Sequence, residues 1–449
     1  MPMTGGQTFV RVMRALNSQW GRGRRALAFK NYVRSRAPRL FIGMKAGFGR
    51  VEDEATWANL LTEQERADLE LVRRYDPPPQ EIEATRRLNE IFLAAGEPPR
   101  SINWFVPSIS HPLYGGLNTI LRFAARLQDT HGVETRVVLY AYDERDEPQI
   151  RRETEAAFPT LAPRLVFHAG RDAEDAPPAD ACIATFWTSA FLVSRVRDTR
   201  AKFYFIQDYE PSFYEGGTRH GLVDTTYRLG LLRVVNTPGL RDWIDSLHGG
   251  GGTAFLPSVD TSAYRPDETR PADPERVKIF FYGRPLNARN GFILGMEALK
   301  RVKERYGERV EIVAAGEEWS PLSYGAGGAV ENLGRLSTRE AVTDLYRSCD
   351  VGLVFMFSKH PSYQPFEYMA SGCAVVTNDN AATRWLLKHE ENSLVCEATV
   401  ESVAQSIGRL VDDTALRRRL RAAGLRLVAG RTWDETIDDA CRRAGLLAP

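Results

Sequence analysis

An α/β protein built on two successive parallel sheets is what this sequence predicts, and three observations predict it. From Ile102 onward, short apolar runs alternate with amphipathic stretches, which is the pattern of βαβ units. The runs fall into two series, and the segment PSVDTSAYRPD, Pro257 to Asp267, reads as a linker between them. Ahead of both lies a stretch without that alternation, helical in pattern and strongly basic at its start.

Taken in order, residues 1–98 read as a helical, accessory extension. Residues 1–50 hold eleven lysines and arginines and no aspartate or glutamate. Two readings fit them: an amphipathic segment touching anionic lipid near a lipid-linked acceptor, or an arm packed on the first sheet with its arginines solvated. Trp20, Leu27, Phe29 and Tyr32 serve either, while Gly21 and Gly23 interrupt a continuous helix and favour the arm. Thr62 and Glu65 have the spacing of a capping box, opening a helix toward Tyr75. Pro77, Pro78 and Pro79 stop it, and Ile82, Leu88, Ile91 and Phe92 then mark one apolar stripe of a second helix.

The first series of strands is INWFVP (102–107), RVVLYAY (136–142), RLVFHA (164–169), ACIATF (181–186), KFYFIQD (202–208) and LRVVNT (232–237). The second is VKIFFYG (277–283), VEIVAAG (310–316), VGLVFMF (351–357) and CAVVTN (373–378), with helices over Phe292–Tyr306 and Arg339–Ser348 between them. Two Rossmann-like halves follow, over residues 99–265 and 266–430. A final helix in 431–449 is placed to cross back to the first half.

Composition narrows the function. A net charge of +1 gives no global field for nucleic acid. The five cysteines show no CxxC and no metal-ligand spacing, and read as reduced, buried thiols of a cytoplasmic protein. No apolar run reaches the roughly 18 residues of a spanning helix, and the first residues lack the apolar core of a signal peptide.

Three segments carry candidate chemistry. In FYGRPLNARNG a buried strand ends at Gly283, and Arg284 and Arg289 follow at its carboxyl end, where parallel sheets bind ligands. A guanidinium grips phosphate oxygens with a planar fork and never loses its charge; solvated surface arginines are the other reading. In HPSYQPFEYMASGCAVVTN, Pro365 suits the first turn of a helix, and Glu367 lies where the dipole favours an acid able to accept from sugar hydroxyls. A simple dipole-favoured acid is the alternative there. In HPLYGGLNTILRFAARL, Gly115 and Gly116 precede an amphipathic helix and let backbone amides approach an anion. The pattern is not GxGxxG, so a plain turn also fits.

Together these segments resemble the retaining GT-B glycosyltransferases of the large group related to sucrose and glycogen synthases. The Gly-Arg followed by a second base reads as Gly283, Arg284 and Arg289, with arginine in place of the usual lysine. The linker phrase reads as Val259, Asp260, Tyr264 and Pro266, and the closing glutamate and strand as FEYMASG and CAVVTN. ENSLVCEATVESVAQSIGRLVDD and the late RTWDETI complete a resemblance spanning roughly residues 100–445. One departure stands out: Lys359 occupies the position of a second glutamate, the usual partner of the donor hexose. The stretch KHPSYQP around it, with Tyr363 on the donor side, together with FYGRP and FIQDYEP, is similar to bacterial rhamnosyltransferases that build cell-surface glycans.

The resemblance implies two Rossmann-like domains facing a central cleft and transfer with retention. The donor is a nucleotide-diphosphate sugar, with dTDP-rhamnose expected first and UDP- or GDP-hexoses as alternatives. The acceptor is a glycan or lipid-linked glycan. It places Arg284, Arg289, Gly115 and Gly116 on the diphosphate and Glu367 on the ribose hydroxyls. The loop from Gly334 through Leu336 to Ser337 takes the base. Asp208 is assigned to orienting the acceptor, or else to capping a loop, and His111 is a weaker acceptor-side candidate. No Asp-x-Asp occurs in the chain, so no metal is expected; the resemblance implies no cofactor either. Rival classes are an epimerase, a pyridoxal-dependent phosphorylase and a non-catalytic nucleotide-sugar-binding subunit, the last suggested by Lys359.

Overall fold

The computed structural model describes residues 62–113, 115–168, 175–271, 274–336, 338–430 and 432–449. The basic segment 1–50, with its two readings, and Ser337 of the base loop lie outside the described residues. The chain divides into two compact units, residues 1–76 and 77–449. In the first, the helix Glu63–Arg74 opens with a capping box: the Thr62 hydroxyl accepts from the Glu65 amide while Glu65 accepts from the Thr62 amide.

The second unit holds two sheets. The first is made of β1 (Ser101–Val106), β2 (Glu134–Leu139), β3 (Leu165–Phe167), β4 (Ala181–Ala184), β5 (Ala201–Ile206), β6 (Leu232–Asn236) and β7 (Gly252–Phe255). All pairs are parallel, in the order β3-β2-β1-β4-β5-β6-β7. The second comprises β8 (Val277–Gly283), β9 (Val310–Gly316), β10 (Glu331–Asn332), β11 (Val351–Val354), β12 (Ala374–Asn378) and β13 (Leu394–Cys396). It is also all parallel, in the order β10-β9-β8-β11-β12-β13. The strand order reverses between β1 and β4 in one sheet and between β8 and β11 in the other. Crevices that take ligands open at such switch points, outside the carboxyl ends of the strands.

Strands covered on both faces read as near-continuous apolar runs, which is why β8 and β9 fall on the expected residues. The first core centres on Trp104, Phe123, Phe205 and Phe255, with Phe123 edge-on to Phe205 at 4.9 Å between ring centroids. Such a contact adds about 0.5–1.5 kcal/mol beyond the area buried. Several expected strands stop early. The run 136–142 leaves the sheet after Leu139, 202–208 after Ile206 and 351–357 after Val354, so Gln207, Asp208 and Phe355–Phe357 belong to cleft loops. Strands β7, β10 and β13 were not anticipated, being only two to four residues long.

Two helices join the first core from outside the alternating region. In Pro79–Ala95 the expected apolar stripe is only partly right: Phe92 is buried, but Ile91 is 64% exposed. The buried face carries Asn89 instead, whose amide donates to the Lys202 and Gly230 carbonyls and accepts from the Lys202 amide. At the other end of the chain, Trp433–Arg443 packs Trp433, Ile437 and Cys441 into the same core. Asp434 and Asp438 pair with Arg126, and Arg443 donates to the Ala254 carbonyl of edge strand β7. No helix among the described residues is long and apolar enough to cross a membrane. All five cysteines are free and buried.

Candidate active site

A cleft of about 820 Å³ lies between the carboxyl ends of the two sheets. Its floor on the first half is the start of the helix Gly115–His131. Gly115 adopts φ +57°, and a Cβ on Gly116 would meet the Gln207 amide at 2.7 Å. Gln207 in turn donates to the Gly116 carbonyl at 2.8 Å. The left-handed angle at Gly115 favours glycine, and this helix start lines the cleft with the positive end of a 17-residue helix behind it.

Five arginines line the cleft: Arg122, Arg284, Arg289, Arg335 and Arg339. Arg284 leaves β8 at its end and donates through Nε to Glu317 at 3.0 Å, which also accepts from the Leu286 amide. Arg289 spans the cleft, donating to Asp208 of the first half at 2.7 Å and lying over the Phe213 ring at 4.0 Å. Asp208 is therefore an ion-pair partner and also accepts from the Tyr209 amide. Burial pushes its carboxyl up despite Arg289. Arg122 and Arg339 converge on Asp260 in the linker. Burial opposes ionisation of Asp260, but Ser262 and the two arginines win and hold it at about 2.

Glu367 sits on the first turn of the helix Gln364–Ala370, at the cleft wall. Burial pushes its carboxyl up to about 7, against the pull of Arg339, a hydrogen bond from Tyr264, and Arg122. Tyr363, at the cap of that helix, reaches the first half: its hydroxyl accepts from Thr119 at 2.9 Å and from Asn236 at 2.6 Å. His111 and Leu336 also line the cleft, and burial followed by Arg335 lowers the His111 pKa.

Of the residues singled out from sequence, Gly334 is not on the cleft wall. It adopts φ +65°, its amide donates to Asn332 and its carbonyl accepts from Gly316, while a Cβ there would lie 2.0 Å from Glu318. It shapes the loop that presents Arg335 and Leu336. Lys359 also turns away from the cleft, its ammonium 4.4 Å from the centroid of the Trp243 ring. Sequence reasoning missed Glu317 and Glu318, although two acids directly after the buried β9 were a readable signal. It also missed Arg122, Arg339 and His360, which only the long-range fold brings to the cleft.

Two parallel α/β sheets facing each other across an arginine-lined cleft are the GT-B architecture. The comparisons agree. Residues 101–237 match the model of the WsaF N-terminal domain and residues 277–408 that of the WsaF C-terminal domain, so the chain belongs to the GT-B glycosyltransferases with WsaF-type domains in both halves. It is 41% identical over 379 residues to the O-antigen biosynthesis protein RfbC of Myxococcus xanthus, covering 82% of this chain but only 29% of that protein's length. Among solved structures, HepE of Anabaena in complex with UDP-glucose superposes with a TM-score of 0.60 at 15% identity, over 77% of this chain and all of that one. Sucrose-phosphate synthase of Thermosynechococcus elongatus superposes with a TM-score of 0.56 at 14% identity, over 76% of this chain and 98% of that one. At those identities the two structures speak to the fold alone.

Proposed function

We propose that the chain transfers a 6-deoxyhexose, L-rhamnose from dTDP-rhamnose, with retention of configuration onto a cell-surface glycan acceptor. The observation that carries the donor class is the cleft itself, where Arg284 and Arg289 stand opposite the amides of Gly115 and Gly116. Charge builds on the diphosphate as the bond from the sugar's anomeric carbon to phosphate oxygen breaks, and donors already in place there stabilise it without reorganising. The acceptor oxygen bonds to that carbon from the same face, and its proton passes to the departing phosphate oxygen. Asp208 is held by Arg289 and the Tyr209 amide, which suits charge positioning better than a covalent nucleophile.

Arginines that meet the phosphate charge make a divalent cation dispensable. Glu367 accepts from the ribose hydroxyls and Leu336 borders the base. Rhamnose is favoured because Lys359 is turned onto Trp243, leaving no carboxylate at that position for a hexose. The name of the Myxococcus relative supports a cell-surface glycan as the product. A lipid-linked acceptor at the inner face of the membrane suits the basic residues 1–50. Thermal-shift binding across dTDP-rhamnose, UDP-glucose, UDP-N-acetylglucosamine and GDP-mannose tests the donor. The largest shift is expected with dTDP-rhamnose, and a preference for UDP-glucose would overturn the rhamnose assignment. No shift with any donor, in folded protein, would favour a non-catalytic role.

A further inference from the structure

We infer that His360 is a specificity contact for the transferred sugar, its Nε2–H donating to a sugar hydroxyl. The inference rests on the donor-cleft reading above and adds to it a residue and a role. His360 lies in the loop between β11 and the helix Gln364–Ala370, on the cleft wall, and is only 8% exposed. The loop is pinned at its start, where the Asn380 amide donates to the Met356 and Ser358 carbonyls at 2.9 and 2.6 Å. Further along, Ser362 adopts φ +59°, a left-handed conformation that is strained for serine. That turn aims the Ser362 amide at His360 Nδ1, which accepts it at 2.9 Å.

An Nδ1 that accepts carries no proton, so the proton of the neutral ring is on Nε2. Burial, and after it the charge of Arg289, push the ring's pKa down to about 3, so it stays neutral across the working range. Nε2 has no hydrogen-bond partner among the described residues. Leaving a buried donor unpaired is costly, and its persistence on a cleft wall points to a ligand acceptor. The arginines and the helix start at Gly115 and Gly116 meet the phosphate charge, which leaves an uncharged sugar hydroxyl as the acceptor for the neutral ring. Of the two basic side chains in this loop, Lys359 lies on Trp243, and His360 is the one on the cleft wall.

The test pairs two variants. His360→Asn keeps an acceptor where Nδ1 stood but removes the far donor, and His360→Gln keeps an amide donor near the Nε2 position. Calorimetric titrations with dTDP and dTDP-rhamnose, and with UDP and UDP-glucose, separate the sugar from the diphosphate. For the nucleotide sugar that the wild type binds, His360→Asn is expected to lose about tenfold in affinity while binding of the bare diphosphate is unchanged. His360→Gln is expected to recover part of the loss. Wild-type affinity for the nucleotide sugar in His360→Asn overturns the inference. An equal loss with the bare diphosphate puts the contact on phosphate and overturns the sugar assignment. Failure of the wild type to bind any of the four ligands would remove the donor-cleft reading as well, an outcome distinct from the other two.

Discussion

Replacing Glu367 with glutamine should stabilise the ligand-free protein at pH 8 and abolish that gain at low pH. In the folded chain burial raises the carboxyl's pKa to about 7, against an ordinary value of 4.5. The folded state therefore binds more protons than the unfolded one between those values, and stability falls as pH rises through that window. At about 1.4 kcal/mol per pH unit, the gap corresponds to roughly 3 kcal/mol of destabilisation once the group is fully ionised. Glu367 borders an open cleft whose water screens the charge, so about 1–3 kcal/mol is the expected range. Glutamine occupies the same volume, can still accept from Tyr264 and carries no charge. Denaturant or thermal unfolding of both proteins at pH 4.5 and pH 8 is the assay, and the difference between them cancels every other titrating group. The variant should be more stable at pH 8 and equal at pH 4.5, while losing affinity for nucleotide sugar if the carboxylate accepts from ribose. A stability difference independent of pH, or a less stable variant at pH 8, would refute the reasoning.

Removing the Tyr363 hydroxyl with Tyr363→Phe leaves Thr119 and Asn236 without their shared acceptor and should cost about 1–3 kcal/mol, read as a lower melting temperature. Gly352→Ala should be poorly tolerated, because a Cβ there would lie 2.2 Å from the buried Tyr368 ring; soluble expression and melting temperature report it. Gly116→Ala pushes on Gln207 at the end of a side chain, so it should fold with a small stability change yet bind nucleotide diphosphate measurably less well in calorimetry. Treatment with EDTA should leave donor binding unchanged, since arginines neutralise the phosphates, and a chelator-sensitive affinity would contradict that.

The parts of the fold that rest on local pattern were legible, and those that rest on distant partners were not. Strands β8 and β9 are seven-residue runs, apolar but for Lys278 and Glu311 and closed by glycine, and pattern alone sets their ends. The helix before Gly96 misled, because its buried position is filled by Asn89, whose three hydrogen bonds go to Lys202 and Gly230, more than a hundred residues away. At the site, Arg284, Arg289, Glu367 and the glycine pair could be named from their place after strands. That Arg289 also pairs with Asp208, 81 residues earlier in the chain, could not. The chemistry of His360 depends on a backbone angle at Ser362, which no residue type announces.

The most direct test of the central claim is calorimetric titration of the wild type and Arg284→Ala with the donor giving the largest thermal shift. The wild type is expected to bind saturably without added metal, and the variant to lose about 10–100-fold, the scale of one charge-assisted contact to phosphate. Equal affinity of the two folded proteins would contradict the assignment of this cleft as the nucleotide-sugar site.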